Sequence, residues 1–225
     1  MKIIIGANAE LAQDFIGCQN PEELILVSRD VPKIIRTVPH IRWIASDYID
    51  SCSLFKAIER ENPKEVSVVW FAAPFPRKML VQNSSVEIDE VVRQGVTFPV
   101  DLVRQLVEIM ILEKYGRFVF IGSRLAEFGD IGSSLYTIIK GAQTALSRSL
   151  AVEYARFGVT SNVISLGPTD FGLALGLPDS RKIEYRQRTS NRNFVSAAGL
   201  SSTINFLIAN SDVNGAIVNL DAGLR

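Results

Sequence analysis

Short runs of β-branched and other apolar residues, separated by stretches that favour helix, constrain the fold of this chain more than any other feature of its sequence. There are seven such runs: Ile3 to Ile5, Leu24 to Val27, Ile41 to Ile44, Val66 to Phe71, Phe118 to Ile121, Val159 to Ile164 and Ala216 to Leu220. Strands that alternate with helices form βαβ units, in which the strands are parallel and helices cover both faces of the sheet. The pattern predicts an α/β fold with a doubly wound, seven-stranded parallel sheet.

Five of the intervening stretches have helical periodicity: Ala9 to Ile16, Ser53 to Arg60, Phe98 to Glu113, Tyr136 to Phe157 and Ala197 to Ile208. Gly158 follows the fourth and suits a helix C-cap. Two sets of apolar or small residues occupy different faces of that helix, namely Ile138, Ala142, Leu146 and Ser149, and then Ala145, Leu150 and Val152. We expect the first set to face the sheet and the second to form another buried surface. Such a surface predicts a homodimer or homotetramer through the two long helices.

Composition excludes several classes of partner. The 225 residues are 47% hydrophobic, which is enough to bury the core of a single domain over 1–225. Because 24 basic side chains balance 24 acidic ones, we expect neither nucleic acid nor a membrane surface as partner. One histidine, His40, and two cysteines, Cys18 and Cys52, predict no metal site, and we expect both thiols to be buried or half-buried. The apolar run before Gly6 is too short for a signal peptide or membrane span, which favours a cytoplasmic location.

The turn after the first predicted strand lies where open α/β sheets bind ligands, beyond the carboxyl ends of the strands. Gly6 permits a tight reversal there, and the following helix offers its N-terminal N–H groups to a pyrophosphate. Glu10 and Ala12 stand where a G-x-x-x-G-x-G pattern has its second and third glycines. Alanine is a mild change, but the charge of Glu10 opposes a phosphate. The turn alone therefore leaves dinucleotide binding open.

The second predicted strand ends in Ser28 and Arg29. An acidic residue there would bind the adenosine ribose hydroxyls, whereas a serine and an arginine suit a 2′-phosphate. The alternative is a surface arginine paired with Asp30. The first interpretation favours NADPH over NADH.

The segment I-G-S-R-L-A-E-F-G-D-I-G-S-S-L-Y-T-I-I-K carries the clearest chemistry. Ser123 follows the fifth predicted strand, while Tyr136 and Lys140 are one helical turn apart and share a helix face. A phenol exchanges a proton with a carbonyl oxygen, and a cation beside it is expected to lower its pKa. Serine can hold and polarise that carbonyl oxygen. The three groups therefore predict carbonyl reduction or the reverse oxidation.

At these residues the sequence resembles the short-chain dehydrogenase/reductase family, single-domain type, with a Rossmann-type doubly wound sheet. The likeness covers nearly the whole chain and continues in L-S-R-S-L-A-V-E-Y-A-R-F-G-V-T-S-N-V-I-S-L-G-P and N-G-A-I-V-N-L-D-A-G. It implies that Ser123 positions the carbonyl, that Tyr136 exchanges the proton, and that Lys140 also binds the nicotinamide ribose.

The same resemblance implies a set of cofactor-binding residues. They are Gly6, Asn8 and Leu11 in the phosphate turn, Ser28 and Arg29 after the second strand, Asp47 near the adenine, Ala72 and Ala73 after the fourth strand, Tyr136 and Lys140, and Gly167 and Thr169 beside the nicotinamide. Two departures stand out. W-F-A-A-P replaces the family's N-N-A-G, and Gly95 takes the place of its catalytic asparagine.

The sequence predicts an NADPH-dependent oxidoreductase that converts a carbonyl to an alcohol or the reverse, with Tyr136 as general acid and base. Two alternatives remain: a nucleotide-binding sensor with little activity, and a structural subunit that partners an active relative. The substrate is a small carbonyl or alcohol compound, covered by a segment at about 168–195. This segment is read either as a helical lid or as a solvated charged helix. Specificity is expected from Phe171 to Tyr185, Phe75 to Met79 and Leu125 to Phe128, which suit a medium-sized, partly apolar compound.

Overall fold

The computed structural model describes residues 1–36, 38, 41–169 and 178–224, and only the backbone of Arg36. His40, Phe171 and part of the predicted substrate-covering segment lie outside the described residues. In the described part, seven parallel strands form one sheet, as predicted, and their order is β3-β2-β1-β4-β5-β6-β7. The strands are β1 Lys2–Ile5, β2 Leu24–Ser28, β3 Arg42–Ala45, β4 Ser67–Trp70, β5 Gly116–Ile121, β6 Val159–Leu166 and β7 Ile217–Leu220.

Helices occupy the crossovers between these strands. They are α1 Glu10–Gly17, α2 Ser51–Arg60, α3 Ser85–Val92, α4 Phe98–Glu113, α5 Leu125–Phe128, α6 Ser134–Glu153, α7 Asp179–Arg188 and α8 Ala197–Ala209. All five predicted helices are present, and Gly158 closes the turn after α6 with a left-handed backbone at φ 76°. Helix α2 begins two residues earlier than predicted because the Asp50 carboxylate caps it, accepting from the N–H of Ser53 at 2.9 Å.

The sheet is covered on both faces, as the fold class predicts. Alternate residues of β1 point to opposite sides, so that Ile3 and Ile5 pack in one apolar cluster and Ile4 in the other. The first cluster includes side chains of α2 and α4, and the second includes side chains of α1 and α8. These packed layers fix the carboxyl ends of the strands, where the candidate site lies.

The expected orientation of α6 is wrong. Ile138 was expected to face the sheet but is 53% exposed, whereas Leu150 was expected on the other face but is buried at 5%. The inward face is formed instead by a stripe that includes polar residues: Ile139, Lys140, Gln143, Ser147 and Leu150. Hydrophobicity alone predicts the wrong inward face for α6, because polar side chains are also buried there. The Ser147 hydroxyl, for example, is hydrogen-bonded to that of Ser161 in β6 at 2.8 Å. A second, exposed apolar surface nevertheless exists around Ile138 and Val152.

Two other expectations concern the surface. Cys18 and Cys52 are free and exposed, which corrects the prediction of buried or half-buried thiols. Both lie at or near the ends of surface helices, where their side chains face away from the sheet. Among the helices that the structure describes, none combines the length and apolar character needed to cross a bilayer.

The strand order reverses between β1 and β4. The chain after β1 leads towards β2, and the chain after β4 leads towards β5, so the two connecting loops diverge and leave a cleft. The backbones of the two loops touch at Gly6 and Ala72. This cleft continues over β5 and β6 and contains the candidate site.

Candidate active site

Ser123 is held at the carboxyl end of β5 by bonds to the neighbouring strand. The N–H of Gly122 donates to the carbonyl of Ile164 at 2.8 Å, and the N–H of Arg124 donates to the carbonyl of Leu166 at 2.9 Å. The Ser123 hydroxyl accepts from the N–H of Leu125 at 3.2 Å. Its backbone is therefore anchored on both sides while its hydroxyl points into the cleft.

Tyr136, in the first turn of α6, meets Ser123 across the cleft. Both side chains line the same cavity, and the Ser123 hydroxyl lies near enough to the phenol to oppose the rise in the Tyr136 pKa. The Tyr136 ring also packs edge-on against Phe75, with 4.5 Å between ring centroids and 79° between planes. Phe75 lies in the loop after β4, so three different parts of the chain fix the phenol. The structure thus brings together two residues that the sequence analysis paired from their spacing.

Lys140 lies one turn further along α6 and is buried, 2% exposed. Its Nζ donates to the carbonyl of Ile121 at 2.7 Å and lies 5.8 Å from the centroid of the Tyr136 ring. Burial lowers the pKa of Lys140 to about 7 and raises the pKa of Tyr136 to about 12. The expected lowering of the tyrosine pKa by the cation is not observed, because burial of the phenol raises that pKa.

A cavity of about 210 Å³ opens beside these three side chains. Its wall is largely apolar and includes Phe75, Leu125, Ile131, Phe194 and Leu224. Arg124 also reaches this wall, but Asp221 and Glu127 both pair with its guanidinium. A substrate acid group would have to displace one of these carboxylates to bind Arg124.

Helix α7 is placed against the cavity by Asp130, which precedes α6. The Asp130 carboxylate accepts from the Tyr185 hydroxyl at 2.7 Å and from the Arg181 guanidinium at 3.1 Å. Burial alone would raise the pKa of Asp130, but these hydrogen bonds and the arginine charge give a net lowering. Tyr185 lines the cavity, whereas most of α7 is half-buried or exposed. Elements of both sequence interpretations, a covering helix and a solvated charged one, are therefore combined in α7.

Gly167 and Thr169 line the same cavity opposite Tyr136. The N–H of Gly167 donates to the carbonyl of Leu220 at 2.9 Å, which keeps this loop on β7. A Cβ at Gly167 would lie 2.5 Å from Cα of Asp221, so only glycine fits. Thr169 is buried and forms an isolated β-bridge with Val195.

The turn after β1 has the geometry that its glycine suggests. Gly6 has φ 85°, and a Cβ there would lie 2.6 Å from the backbone nitrogen of Ala72. The N–H groups of Gly6 and Ala7 donate to the carbonyl of Val27, which ties the turn to β2. Glu10 is exposed and is the first residue of α1, where a carboxylate favours the helix dipole.

A shallow groove runs from this turn to the end of β2. Its walls include Gly6, Asn8, Ser28, Arg29, Ala72, Ala73 and Gln94, whereas Leu11 faces the larger cavity. Asp47 lies in the adjoining depression with Arg29, and its carboxylate accepts from the N–H of Ile49 at 3.0 Å. The cofactor-binding residues suggested by the sequence therefore line one continuous stretch of the cleft.

Arg29 is exposed and points along the groove. Its Nη2 donates to Oε1 of Gln94 at 2.8 Å, and its guanidinium lies 5.7 Å from the centroid of the Tyr48 ring. The described residues show no Arg29–Asp30 ion pair, so the alternative surface pairing is not observed. The Ser28 hydroxyl points inward, donating to the carbonyl of Asp30 at 2.7 Å and accepting from Trp43 Nε1 at 3.0 Å. Ser28 therefore presents its backbone to the groove.

Sequence reasoning missed two glutamines in this cleft. Gln94 bonds Arg29, and the buried Gln143 bonds Lys140. A signal for Gln143 existed, since it follows Lys140 by three residues and shares its inward face. Gly95, where the resemblance leads us to expect an asparagine, is buried against Ile139 of α6. Within the described ranges, no group of His, Cys, Asp and Glu side chains could hold a metal ion.

Comparison with known proteins gives a consistent set of relatives. A family model described as enoyl-(acyl carrier protein) reductase matches residues 46–225. The 3-oxoacyl-[acyl-carrier-protein] reductase FabG of Buchnera aphidicola subsp. Acyrthosiphon pisum is 28% identical over 65% of this chain, and the chain spans 61% of that relative's length. The 3-oxoacyl-[acyl-carrier-protein] reductase MabA of Mycobacterium tuberculosis strain H37Rv is 25% identical over 80% of this chain and 72% of its own length.

Solved structures share the fold. A 3-oxoacyl-[acyl-carrier protein] reductase from Brucella melitensis superimposes with a TM-score of 0.87 at 19% identity, covering 99% of this chain and 90% of that one. A short chain dehydrogenase family protein from Francisella tularensis gives 0.82 at 15% identity, covering 99% and 97%. This shared fold agrees with the family match over residues 46–225, which shows that the chain belongs to the short-chain dehydrogenase/reductase family.

Proposed function

We propose that this protein is an NADPH-dependent oxidoreductase that reduces a carbonyl group to an alcohol, or carries out the reverse reaction. One observation carries the proposal: the hydroxyl groups of Ser123 and Tyr136 meet at the wall of an apolar cavity, with the Lys140 amine buried one turn behind. These groups match the needs of proton exchange at a carbonyl oxygen.

The residues of the cleft fit a dinucleotide. Gly6 is required because a Cβ at this position would lie against Ala72. Helix α1 begins just after this turn, at Glu10, and the positive end of its dipole favours a phosphate there. Ala72 and Ala73 leave room for the cofactor along the groove. We assign the phosphates to the turn of Gly6, Asn8 and Leu11, the adenine end to Asp47, and the nicotinamide end to Gly167 and Thr169. When bound, NADPH supplies the hydride.

The proton chemistry is assigned to the side chains of this chain. Ser123 donates a hydrogen bond to the substrate oxygen and so polarises the carbonyl. The Tyr136 hydroxyl gives its proton to that oxygen as negative charge develops there. Lys140 would hold the nicotinamide ribose, and in its protonated form it stabilises the phenolate that remains. The apolar wall around Phe75 keeps bulk water away from this exchange.

Arg29 underlies the preference for NADPH. Its guanidinium lies at the rim of the groove, beyond β2, and is held there by Gln94. A 2′-phosphate is a better partner for a guanidinium than a ribose hydroxyl, because both partners are charged. NADH is the weaker alternative. Glu10 is exposed, so solvent screens the repulsion between its carboxylate and the phosphates.

For the substrate we propose a medium-sized ketone with an apolar chain. The wall formed by Leu125, Ile131 and Phe194 suits such a chain. Two relatives are named as 3-oxoacyl-[acyl-carrier-protein] reductases, which makes 3-oxoacyl thioesters the first compounds to test. The 168–195 segment, including Tyr185, is proposed to cover the substrate.

The exposed apolar surface of the long helices supports a proposal on assembly. Leu112 of α4 and Val152 of α6 are each 83% exposed, and Ile138 is 53% exposed. We propose that these faces pair in a homodimer or homotetramer, in the cytoplasm, where the two free thiols stay reduced. Mass measurement in solution tests the assembly, and a stable monomer would contradict it.

The experiment for the function follows NADPH oxidation with a 3-oxoacyl thioester and a panel of ketones. Tyr136→Phe removes only the hydroxyl and is expected to lower kcat by roughly a hundredfold to ten-thousandfold. The matched control is Tyr115→Phe, another tyrosine whose hydroxyl lies outside the cleft, near Ser67. Equal turnover by wild type and Tyr136→Phe would refute the proposed role. NADPH binding without turnover of any compound would favour the sensor alternative.

A further inference from the structure

The helical segment that runs from α3 into α4 contains a break with a clear sequence cause. In an α-helix the N–H of residue 99 would donate to the carbonyl of Gly95, but residue 99 is Pro99 and has no N–H. Proline also clashes with the carbonyl four residues before it. The chain forms a π-helical turn over Arg93–Thr97, in which the N–H of Phe98 donates to the carbonyl of Arg93. The Gly95 carbonyl is left without its α-helical donor.

Gln143 of α6 donates to that carbonyl. Its Nε2 lies 3.3 Å from the Gly95 oxygen, and its Oε1 accepts from Lys140 Nζ at 3.2 Å. The Gln143 side chain is 2% exposed. Because the amide nitrogen must face a carbonyl, only the amide oxygen can face the lysine. The backbone of one helix therefore fixes how Gln143 meets Lys140.

Gly95 also sets the distance between the two helices. A Cβ at this position would lie 2.6 Å from Cδ1 of Ile139, which is less than any ordinary contact. A larger residue would push the π-helical turn away from α6 and lengthen the bond to Gln143. Gly95, Pro99 and Gln143 thus form one arrangement, in which each residue type is needed for the bridge.

Lys140 uses two of its three N–H groups on this framework. One donates to the Ile121 carbonyl at 2.7 Å and one to Gln143. The third remains for a group in the cavity that Lys140 lines. Two fixed acceptors leave the amine little freedom to rotate. Its remaining N–H is therefore aimed by the protein before any ligand binds.

We propose that Gln143 is a positioning residue, which orients the Lys140 amine and favours its charged form through a direct bridge to the Gly95 carbonyl. The catalytic role of Gln143 rests on the proposed function, since Lys140 acts on Tyr136 only in that reaction. The bridge itself is independent of turnover and can be measured without a substrate. Its loss is expected to weaken the reaction through Lys140 and to leave substrate contacts intact.

The surroundings of Lys140 make this effect measurable. The other ionisable groups that line its cavity are Arg77, Arg124, Asp130, Tyr136 and Tyr185. Burial is the cause of the lowered pKa of Lys140, about 7, and none of these groups contributes to that lowering. A hydrogen bond to the charged form favours that form, so removal of the Gln143 oxygen lowers the pKa of Lys140 further.

The test is a pH titration of the Lys140 side chain by NMR, in protein labelled with ¹³C at lysine Cε. The signal is assigned by its absence in Lys140→Met. Gln143→Met keeps the length of the side chain and is expected to lower the pKa of Lys140 by roughly one unit. Gln105→Met is the control, since it removes another buried glutamine, one that bonds the carbonyl of Asp101 within its own helix. It should leave the titration unchanged.

Gln143→Glu gives an independent reading if the methionine variant fails to fold. The introduced carboxylate next to the amine is expected to raise the pKa of Lys140, which is the opposite direction. Shifts in these two directions support the bridge. An unchanged titration in Gln143→Met, or in Gln143→Glu where that alone folds, overturns the proposal.

Kinetics then test the catalytic meaning separately. In Gln143→Met the pH above which kcat declines should fall together with the pKa of Lys140, while KM for the ketone stays within about twofold. A uniform loss of kcat at every pH would indicate a structural effect and contradict the positioning role. If the wild type neither binds NADPH nor reduces a ketone, the proposed function fails, and the NMR titration still decides whether Gln143 controls Lys140.

Discussion

Lys140 makes the stability of this protein depend on pH in an unusual direction. A free lysine has a pKa of 10.5, and burial lowers that of Lys140 to about 7. Below about pH 7 the amine is charged in both states, so the folded state carries the full desolvation cost of about 5 kcal/mol. Above that pH the folded amine loses its proton while the unfolded chain keeps it. The unfolded state then binds more protons, and stability rises with pH.

The expected size follows from this linkage. The free energy of unfolding gains at most about 1.4 kcal/mol per pH unit from one proton, and about 3 kcal/mol in total between pH 7 and 9.5. Tyr136 has the opposite effect on stability, because its pKa is raised from 10 to about 12. The stability that it contributes is lost as the pH rises, but only above pH 10. Measurements that stay below pH 10 therefore isolate the lysine.

Urea unfolding followed by the fluorescence of the buried Trp70 provides the assay. The quantity of interest is the difference between wild type and Lys140→Met at each pH, which removes contributions that both proteins share. Lys33→Met, which deletes an exposed lysine, should run parallel to wild type. A constant difference between wild type and Lys140→Met over this range would show that the amine titrates normally, and would refute the buried arrangement on which the site depends.

Three further predictions concern the cleft. Gly6→Ala forces an alanine to φ 85° and against Ala72, so it should lower the free energy of unfolding by roughly 1–3 kcal/mol and weaken NADPH binding. The control is Gly141→Ala, whose added Cβ contacts nothing and should have neither effect. Equal stability and NADPH affinity of the two variants would contradict the close approach of Gly6 to Ala72. Arg29→Ala should raise Kd for NADPH roughly tenfold to a hundredfold and leave NADH nearly unchanged in fluorescence titrations; equal losses for both would remove the 2′-phosphate assignment. Asp130→Asn should weaken the contacts that hold α7 and raise KM more than it lowers kcat. An unchanged KM would show that α7 does not contact the substrate.

Sequence patterns could predict the strands and the long helices because both depend on apolar periodicity. The seven parallel strands follow from short runs such as Ile3 to Ile5, which are buried on both faces. Helix α3 was missed because its side chains are half-buried or exposed and carry no apolar stripe, although the Ser84 and Glu87 capping box marks its start.

The candidate site was only partly predictable. Ser123, Tyr136 and Lys140 could be paired from spacing, because a strand end and a helix start fix their positions. Their pKa values could not be predicted, because desolvation depends on how deeply the finished fold buries each group. The bridge from Gln143 to Gly95 was also hidden. Pro99 marks a break in the helix, but no local pattern encodes the close approach of α6 to the π-helical turn.

The central claim is that Tyr136 gives the proton while a nicotinamide gives the hydride at the same carbonyl. The most direct measurement is transfer of deuterium from NADPH labelled at nicotinamide C4 to a ketone that the wild type accepts, followed in a single turnover by mass spectrometry. Wild type should yield deuterated alcohol, whereas Tyr136→Phe should bind NADPH with similar affinity and yield almost none. Alcohol without the label, or equal transfer by both proteins, would contradict the account.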